Sequence, residues 1–231
     1  PLNNCGVMAL DFNSMEGVAT SIGHSPLTSL IDPASGSRNS IGEALTNLIW
    51  SPLKNELQSV SLSANWMWPA NNEGENSRLY DAVKACSDFC IELGINVPTG
   101  KDSMSMKQKY PSEEVVSPGT VIISASAHSD NFRKTVEPYL KEKNSNLYYI
   151  NMSSCEYNLG GSALFQSNNK VGKKEDAANP NAKATVLAIK VEGGFIPKYV
   201  AINNAMNEEI LALITSSLSL KLGRIIFFIK S

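Results

Sequence analysis

The chain has 231 residues, 42% of them hydrophobic and 18% charged, with a net charge of −2. That length can bury a real core in one large or two modest domains, and the composition excludes a disordered chain. The slightly acidic balance, with no basic stripe, argues against nucleic acid as a partner. No signal peptide and no apolar run long enough for a bilayer is visible, so no membrane partner is expected. The sequence opens at Pro1 without Met, which suggests a piece cut from something longer. In chain order, residues 4–12 read as a strand, and residues 17–23 as another in which Val18, Thr20 and Ile22 alternate. Residues 32–38 read as a turn-rich loop. Ser40 is then a plausible N-cap and Glu43, three residues on, closes a capping box. Ile41, Leu45, Leu48 and Ile49 form the apolar stripe of the helix that follows, ending near Ser51-Pro52.

Residues 60–65 alternate like a strand, and a polar loop runs from Trp66 to Asn76. Residues 77–93 form a helix with Leu79, Val83, Cys86, Phe89, Cys90 and Leu93 on its buried side and Gly94 as its C-cap. Residues 103–109 and 120–127 are strand candidates, and 131–140 a short helical linker. A new unit starts with an apolar strand at 146–150, followed by Leu159-Gly-Gly-Ser162, itself a weak phosphate signal. Residues 170–184 are charged and loop-like. Beyond them, 185–191 reads as a strand, 207–216 as a helix and 224–230 as an apolar β-prone run.

Three constellations could carry chemistry. Gly94-Ile-Asn-Val-Pro-Thr-Gly-Lys-Asp-Ser-Met-Ser-Met106 looks like a phosphate-binding P-loop but is not one. Five residues separate Gly94 from Gly100, and Asp102 stands where a magnesium-binding hydroxyl should follow Lys101. Lys101, Asp102 and Ser103 read as a different phosphate–metal site, or as an exposed turn before a strand. Glu43 and Asn47 lie four apart on one helix face, which suits a hard cation, although the capping box competes for Glu43. At a strand end, the Asn65 amide could bond a ligand and Trp66 could cover a base, unless Trp66, Met67 and Trp68 are core. Glu73-Gly-Glu75 is a lid or a polar loop. Cys5, Cys86, Cys90 and Cys155 form no CxxC pair, and with His24 and His128 give no zinc spacing. Reduced thiols of a cytoplasmic protein are expected.

Ile41-Gly-Glu-Ala-Leu-Thr-Asn47, Leu62-Ser-Ala-Asn-Trp-Met67, Leu79-Tyr-Asp-Ala-Val83 and Gly100-Lys-Asp-Ser-Met-Ser-Met106 occur in that order. With Ser117-Pro-Gly-Thr-Val-Ile-Ile-Ser124 and Leu159-Gly-Gly-Ser-Ala-Leu164, they make the chain resemble the large form of phosphoribosylformylglycinamidine synthase. The resemblance runs from Pro1 to about Gly172, over the second of two aminoimidazole-ribonucleotide-synthetase-like (PurM-like) halves. It implies an α+β fold: a mixed sheet with helices on one face, whose other face pairs with a partner sheet into a barrel. The implied organisation is an N-terminal domain over 1–130, a linker over 131–144, the start of a C-terminal domain over 145–172 and a divergent tail over 173–231.

The family converts formylglycinamide ribonucleotide, glutamine and ATP to the amidine, ADP, phosphate and glutamate. ATP activates the amide oxygen, and ammonia from a glutaminase domain displaces the phosphate. The resemblance implies that Glu43, Asn47 and Asp102 are metal ligands for Mg2+ at ATP/ADP sites. Asn4 stands at a further ligand position where the family usually has Asp. By the same carry-over, Asn3, Asn65, Lys101 and Ser103 face nucleotide or substrate, and Asp102 and Lys101 are the catalytic candidates. The first half, the glutaminase domain and a later His-Asp-x-Ser-x-Gly-Gly motif have no counterpart in these residues. The remaining halves of the same synthase are therefore the implied partners. Alone, the chain is expected to be inactive and to form a homodimer through its uncovered sheet face.

Overall fold

The computed structural model describes residues 5–137, 159–177 and 179. Asn3, Asn4, Cys155, the strand expected at 146–150 and the elements expected beyond 179 lie outside the described residues. Five strands form the main sheet, in the order β1-β2-β7-β3-β4: β1 (Cys5–Ala9), β2 (Gly17–His24), β7 (Thr120–Ser129), β3 (Ser61–Met67) and β4 (Asn96–Ser103). The β1–β2, β2–β7 and β7–β3 pairs are antiparallel and β3–β4 is parallel. Hence β2, β3 and β4 all run the same way, and their C-terminal ends share one rim of the sheet. A separate hairpin pairs β5 (Lys107–Lys109) with β6 (Glu114–Val116).

Strand alternation decides what each face does. Ala19 of β2, Leu62 and Ala64 of β3, and Val121, Ile123, Ala125 and Ala127 of β7 are buried on one face. They pack against Ile41, Ala44, Leu45 and Leu48 of α2 (Pro33–Leu48) and against Phe89 and Cys90 of α3 (Glu75–Leu93). Each fully buried Leu or Ile there contributes roughly 1.5–3 kcal/mol. The short α1 (Pro26–Ile31) packs on α2, and the Arg78 guanidinium of α3 donates to the carbonyls of Ser29 and Leu30 at the end of α1, at 2.7 and 3.0 Å. The opposite face carries Gly6, Thr20, Ile22, Ser61, Ser63, Ser124 and Ser126, and no described helix covers it. The face is therefore open, as expected, but hydroxyl-rich instead of broadly apolar.

Several elements differ from the sequence expectation. Residues 32–38 are not a loop: α2 begins at Pro33, with Asp32 as N-cap accepting from Ser35 N at 2.9 Å. Ser40 therefore sits inside the helix, where its hydroxyl donates to Gly36 O at 2.9 Å, and no capping box joins it to Glu43. On α3 the buried stripe is Ala82, Ala85, Cys86, Phe89, Cys90 and Leu93, whereas Val83 is exposed. Gly94 caps α3 with φ 69°, a left-handed conformation that favours glycine. Trp66 and Met67 belong to β3, not to a loop. The strand expected from Ser103 ends there instead, and only Lys107–Lys109 resumes extended structure. The linker forms a single 3-10 turn at Phe132–Lys134 within the described residues. A short α4 (Ala163–Ser167), capped by the Ser162 hydroxyl, follows the Gly160-Gly161 turn.

Candidate functional site

The C-terminal end of β2 and the middle of α2 make one corner. Gly23 lets the helix backbone come against the strand: a Cβ there would lie 2.2 Å from Ser40 O and 2.4 Å from Ala44 N. Three polar links then fix the helix to the strand. Ser21 Oγ donates to Ala44 O at 2.6 Å, His24 N donates to Glu43 Oε2 at 2.7 Å, and Asn47 Nδ2 donates to Ile22 O at 2.9 Å. The Glu43 and Asn47 bonds lie past Cys5↔Ser21, the last described rung between β1 and β2. Glu43 and Asn47 each spend one polar atom on β2. Glu43 Oε1 and Asn47 Oδ1 keep their lone pairs.

Across the sheet, the β3–β4 end is built differently. The register sets Asn65 beside Lys101, Trp66 beside Asp102 and Met67 beside Ser103. Alternation puts Asn65, Lys101 and Ser103 on the open face and sends Asp102 to the other side of the strand. Lys101 Nζ donates to its own neighbours, Asp102 O at 3.0 Å and the Ser103 hydroxyl. The segment is thus the end of an exposed edge strand, not a turn. Asn65 Oδ1 is buried with no hydrogen-bond partner.

The structure brings Glu43 and Asn47 together, and Asn65, Lys101 and Ser103 together. It does not join Asp102 to the Glu43 corner. β2 and β4 are three strand spacings apart, about 14 Å, far beyond the roughly 2.0–2.6 Å at which one hard cation holds its ligands. Among the described residues, no cluster of three or more His, Cys, Asp or Glu side chains could hold a metal ion. Glu43 Oε1 and Asn47 Oδ1 are hard oxygens on adjacent helical turns, so they fit magnesium as part of a ligand set that waters and phosphate oxygens complete. Asn3 and Asn4 fall outside the described residues.

The aromatic residues resolve toward packing. Trp68 is fully buried, and Trp66 packs against the core on the face opposite Asn65, its ring centroid 6.5 Å from that of Trp68. Glu75 opens α3 and pairs with Arg78 at 3.1 Å, so it is no lid. Cys5, Cys86 and Cys90 carry no disulfide, and burial pushes the Cys5 thiol up to about 11. His24 ends the alternation Val18, Thr20, Ile22 and so points to the open face.

The mixed sheet with helices on one face is the fold of a PurM-like domain. The chain belongs to the FGAR-AT PurM_N-like domain family, which matches residues 1–128. It is 39% identical over 199 residues to phosphoribosylformylglycinamidine synthase of Dictyostelium discoideum, covering 82% of this chain and 15% of that protein. The Homo sapiens protein of the same name is 39% identical over 175 residues, covering 75% of this chain and 13% of that protein. The chain thus spans about an eighth to a seventh of the length of these relatives. Among solved structures, T. maritima PurL complexed with FGAR superposes with a TM-score of 0.59 at 13% identity, over 83% of this chain and 29% of that one. That likeness supports the fold.

Proposed function

We propose that this chain supplies one nucleotide-facing half of a phosphoribosylformylglycinamidine synthase, an ATP-dependent ligase with glutamine as amide donor. The observation that carries the reading is the Glu43–Asn47 corner, set in a chain about 40% identical to such synthases. Glu43 and Asn47, with Asn4 as a neutral further ligand, would hold Mg2+ against the phosphates of ATP or ADP. The ion supplies charge neutralisation at those phosphates. Asn65, Lys101 and Ser103, with Asn3, would face nucleotide or substrate. Asp102, on the other side of β4, would act on a separate cation. The rest of the synthase, including a glutaminase domain and a first PurM-like half covering the open sheet face, would complete the enzyme in the cytoplasm. Residues 1–130 would form the paired domain, 131–144 the linker and 145–172 the start of the next domain. No described helix is long and apolar enough to cross a membrane.

One observation favours a second reading, a non-catalytic Mg-ADP-binding module. Both ligands already tie α2 to β2, so an ion there would strengthen the fold whether or not it took part in turnover.

Calorimetry of the chain with Mg-ADP tests the site. The wild type is expected to bind. Glu43→Gln keeps an oxygen for His24 N and stays folded, but loses the charge facing the cation and should lose Mg-ADP. Unchanged affinity in that variant would remove the corner from consideration. Glu43→Ala should also lose about 1 kcal/mol or more of stability, because His24 N is left unpaired. In a full-length synthase, Glu43→Gln with normal amidine formation would favour the module.

A further inference from the structure

The two sides of α3 do not divide as those of an amphipathic surface helix should. Ala82, Ala85, Cys86, Phe89, Cys90 and Leu93 fill its buried side, so its outward side should be polar. Instead Tyr80, Val83 and Ile91 stand on the outward side, 68%, 43% and 74% exposed. Val83, Ser87 and Ile91 follow Tyr80 by three, seven and eleven residues, which sets them on one helix face. Asp81, Asp88 and Glu92 come one residue after Tyr80, Ser87 and Ile91, so a row of exposed carboxylates runs beside the apolar stripe. Lys84 pairs with Asp88 on the same helix, and the face keeps an acidic balance.

We propose that this face of α3 docks the chain's own segment 218–230, which lies outside the described residues. Three observations favour that occupant. The first is charge: the segment carries Lys221, Arg224 and Lys230 and no Asp or Glu, and most of its other residues are Leu, Ile or Phe. An apolar, cationic strip matches an apolar stripe flanked by carboxylates, and exposed apolar patches of this kind mark contact surfaces. The second is where the described chain leaves off. Arg38 of α2 donates to Asn179 Oδ1, and the same guanidinium lies close enough to Asp88 and Glu92 of α3 to feel their charge. Asn179, the last described residue, is thus on the α2–α3 side of the fold. Residues 180–217 can span more than about 100 Å when extended, several times the roughly 28 Å length of α3. The third is repulsion: a second copy of the same face would set Asp81, Asp88 and Glu92 against their own kind, which disfavours self-pairing through α3.

The test treats the 231-residue chain with a carbodiimide, which joins an ammonium to a carboxylate in direct contact with loss of water. A mixture of isotopically labelled and unlabelled chains separates links within one chain from links between two. Peptide mass spectrometry is expected to find Lys221 or Lys230 joined to Asp81, Asp88 or Glu92 within one chain. The double variant Tyr80→Ser with Ile91→Ser changes only exposed side chains, so it keeps its fold by circular dichroism and should lose most of these links. Tyr80→Phe alone keeps the apolar contact and should retain them. Raising the salt concentration should lower the yield, because the charges that guide the contact are solvent-facing. Links confined to mixed-isotope pairs would give the segment to self-association and overturn the proposal. So would tail lysines joined to carboxylates elsewhere, an absence of links, or an unchanged yield in the double variant.

Discussion

The Glu43 corner and the Lys101 end sit on the same rim of one sheet, yet they are held in opposite ways. At the corner, three tertiary hydrogen bonds and the close approach at Gly23 over-determine where Glu43 and Asn47 point. At the Lys101 end, an exposed strand, paired on one side only among the described residues, carries side chains that bond their own neighbours. The corner is preorganised by this chain alone. Under the proposed function, a ligand or a partner would fix the side chains of the edge. A cation tolerates little positional error, whereas a lysine on a flexible stem can follow a phosphate.

The sharpest way to break this contrast is steric. Gly23→Ala would push a methyl into the backbone of α2, where neither Ser40 O nor Ala44 N can yield without moving the helix. We expect a loss of roughly 3 kcal/mol. Gly100→Ala meets Ala64 O at 2.5 Å, also backbone, but on an edge strand that can shift outward. About 1 kcal/mol is expected there. Urea midpoints of the two variants measure the difference, and equal losses would show that the edge is as rigid as the corner.

The next effect is acid sensitivity at the start of the same helix. Burial raises the pKa of Asp32, but hydrogen bonds from the Ser35 hydroxyl and backbone, and the Lys174 ammonium 3.3 Å away, outweigh it and hold the carboxyl below its ordinary value. A folded pKa below the unfolded one means the stabilisation is fully present above the unfolded value, near 3.9. It is lost as pH falls through the lower folded value. Asp32→Asn keeps an oxygen cap but has no charge to lose. Its stability should fall less steeply than the wild type's below about pH 4, at a loss of no more than about 1 kcal/mol at neutral pH. Parallel acid unfolding curves would mean that Asp32 carries no linked proton.

What the sequence made legible follows the same division. β7 and the second half of α3 show their pattern because large apolar residues mark the buried side. The start of α2 was missed because Ser35, Gly36, Ser37 and Ser40 are small and polar yet buried, where close helix contacts need small residues instead of greasy ones. Asp32-Pro33 was a helix start, an N-cap followed by proline at the first position, and looked like a turn. On α3, Val83 drew the eye while Ala82 and Ala85 took the buried places. β4 contains a proline, a glycine and two charges and is exposed along nearly its whole length, so it lacks the alternation that announces a strand. Of the site, the Glu43–Asn47 spacing was readable. The strand register that sets Asn65 beside Lys101 was not, because no local pattern encodes pairing between strands.

The smallest expected effect on stability is at Lys101, and its smallness is the point. Lys101 is exposed and its bonds run to Asp102 O and the Ser103 hydroxyl, one and two residues away, so they tie no two elements together. Lys101→Ala should change stability by less than about 0.5 kcal/mol. The same variant should weaken phosphorylated ligands and reduce the salt dependence of their binding, since the lost interaction is between an ammonium and a phosphate in a screened, solvent-facing setting. Lys101→Arg keeps the charge and should retain most of that salt dependence. Binding measured at two ionic strengths, beside urea unfolding of the same proteins, checks both halves. If Lys101→Ala instead unfolds the edge of the sheet, Lys101 holds β4 in place, and the division between a self-sufficient corner and an edge awaiting its ligand does not stand.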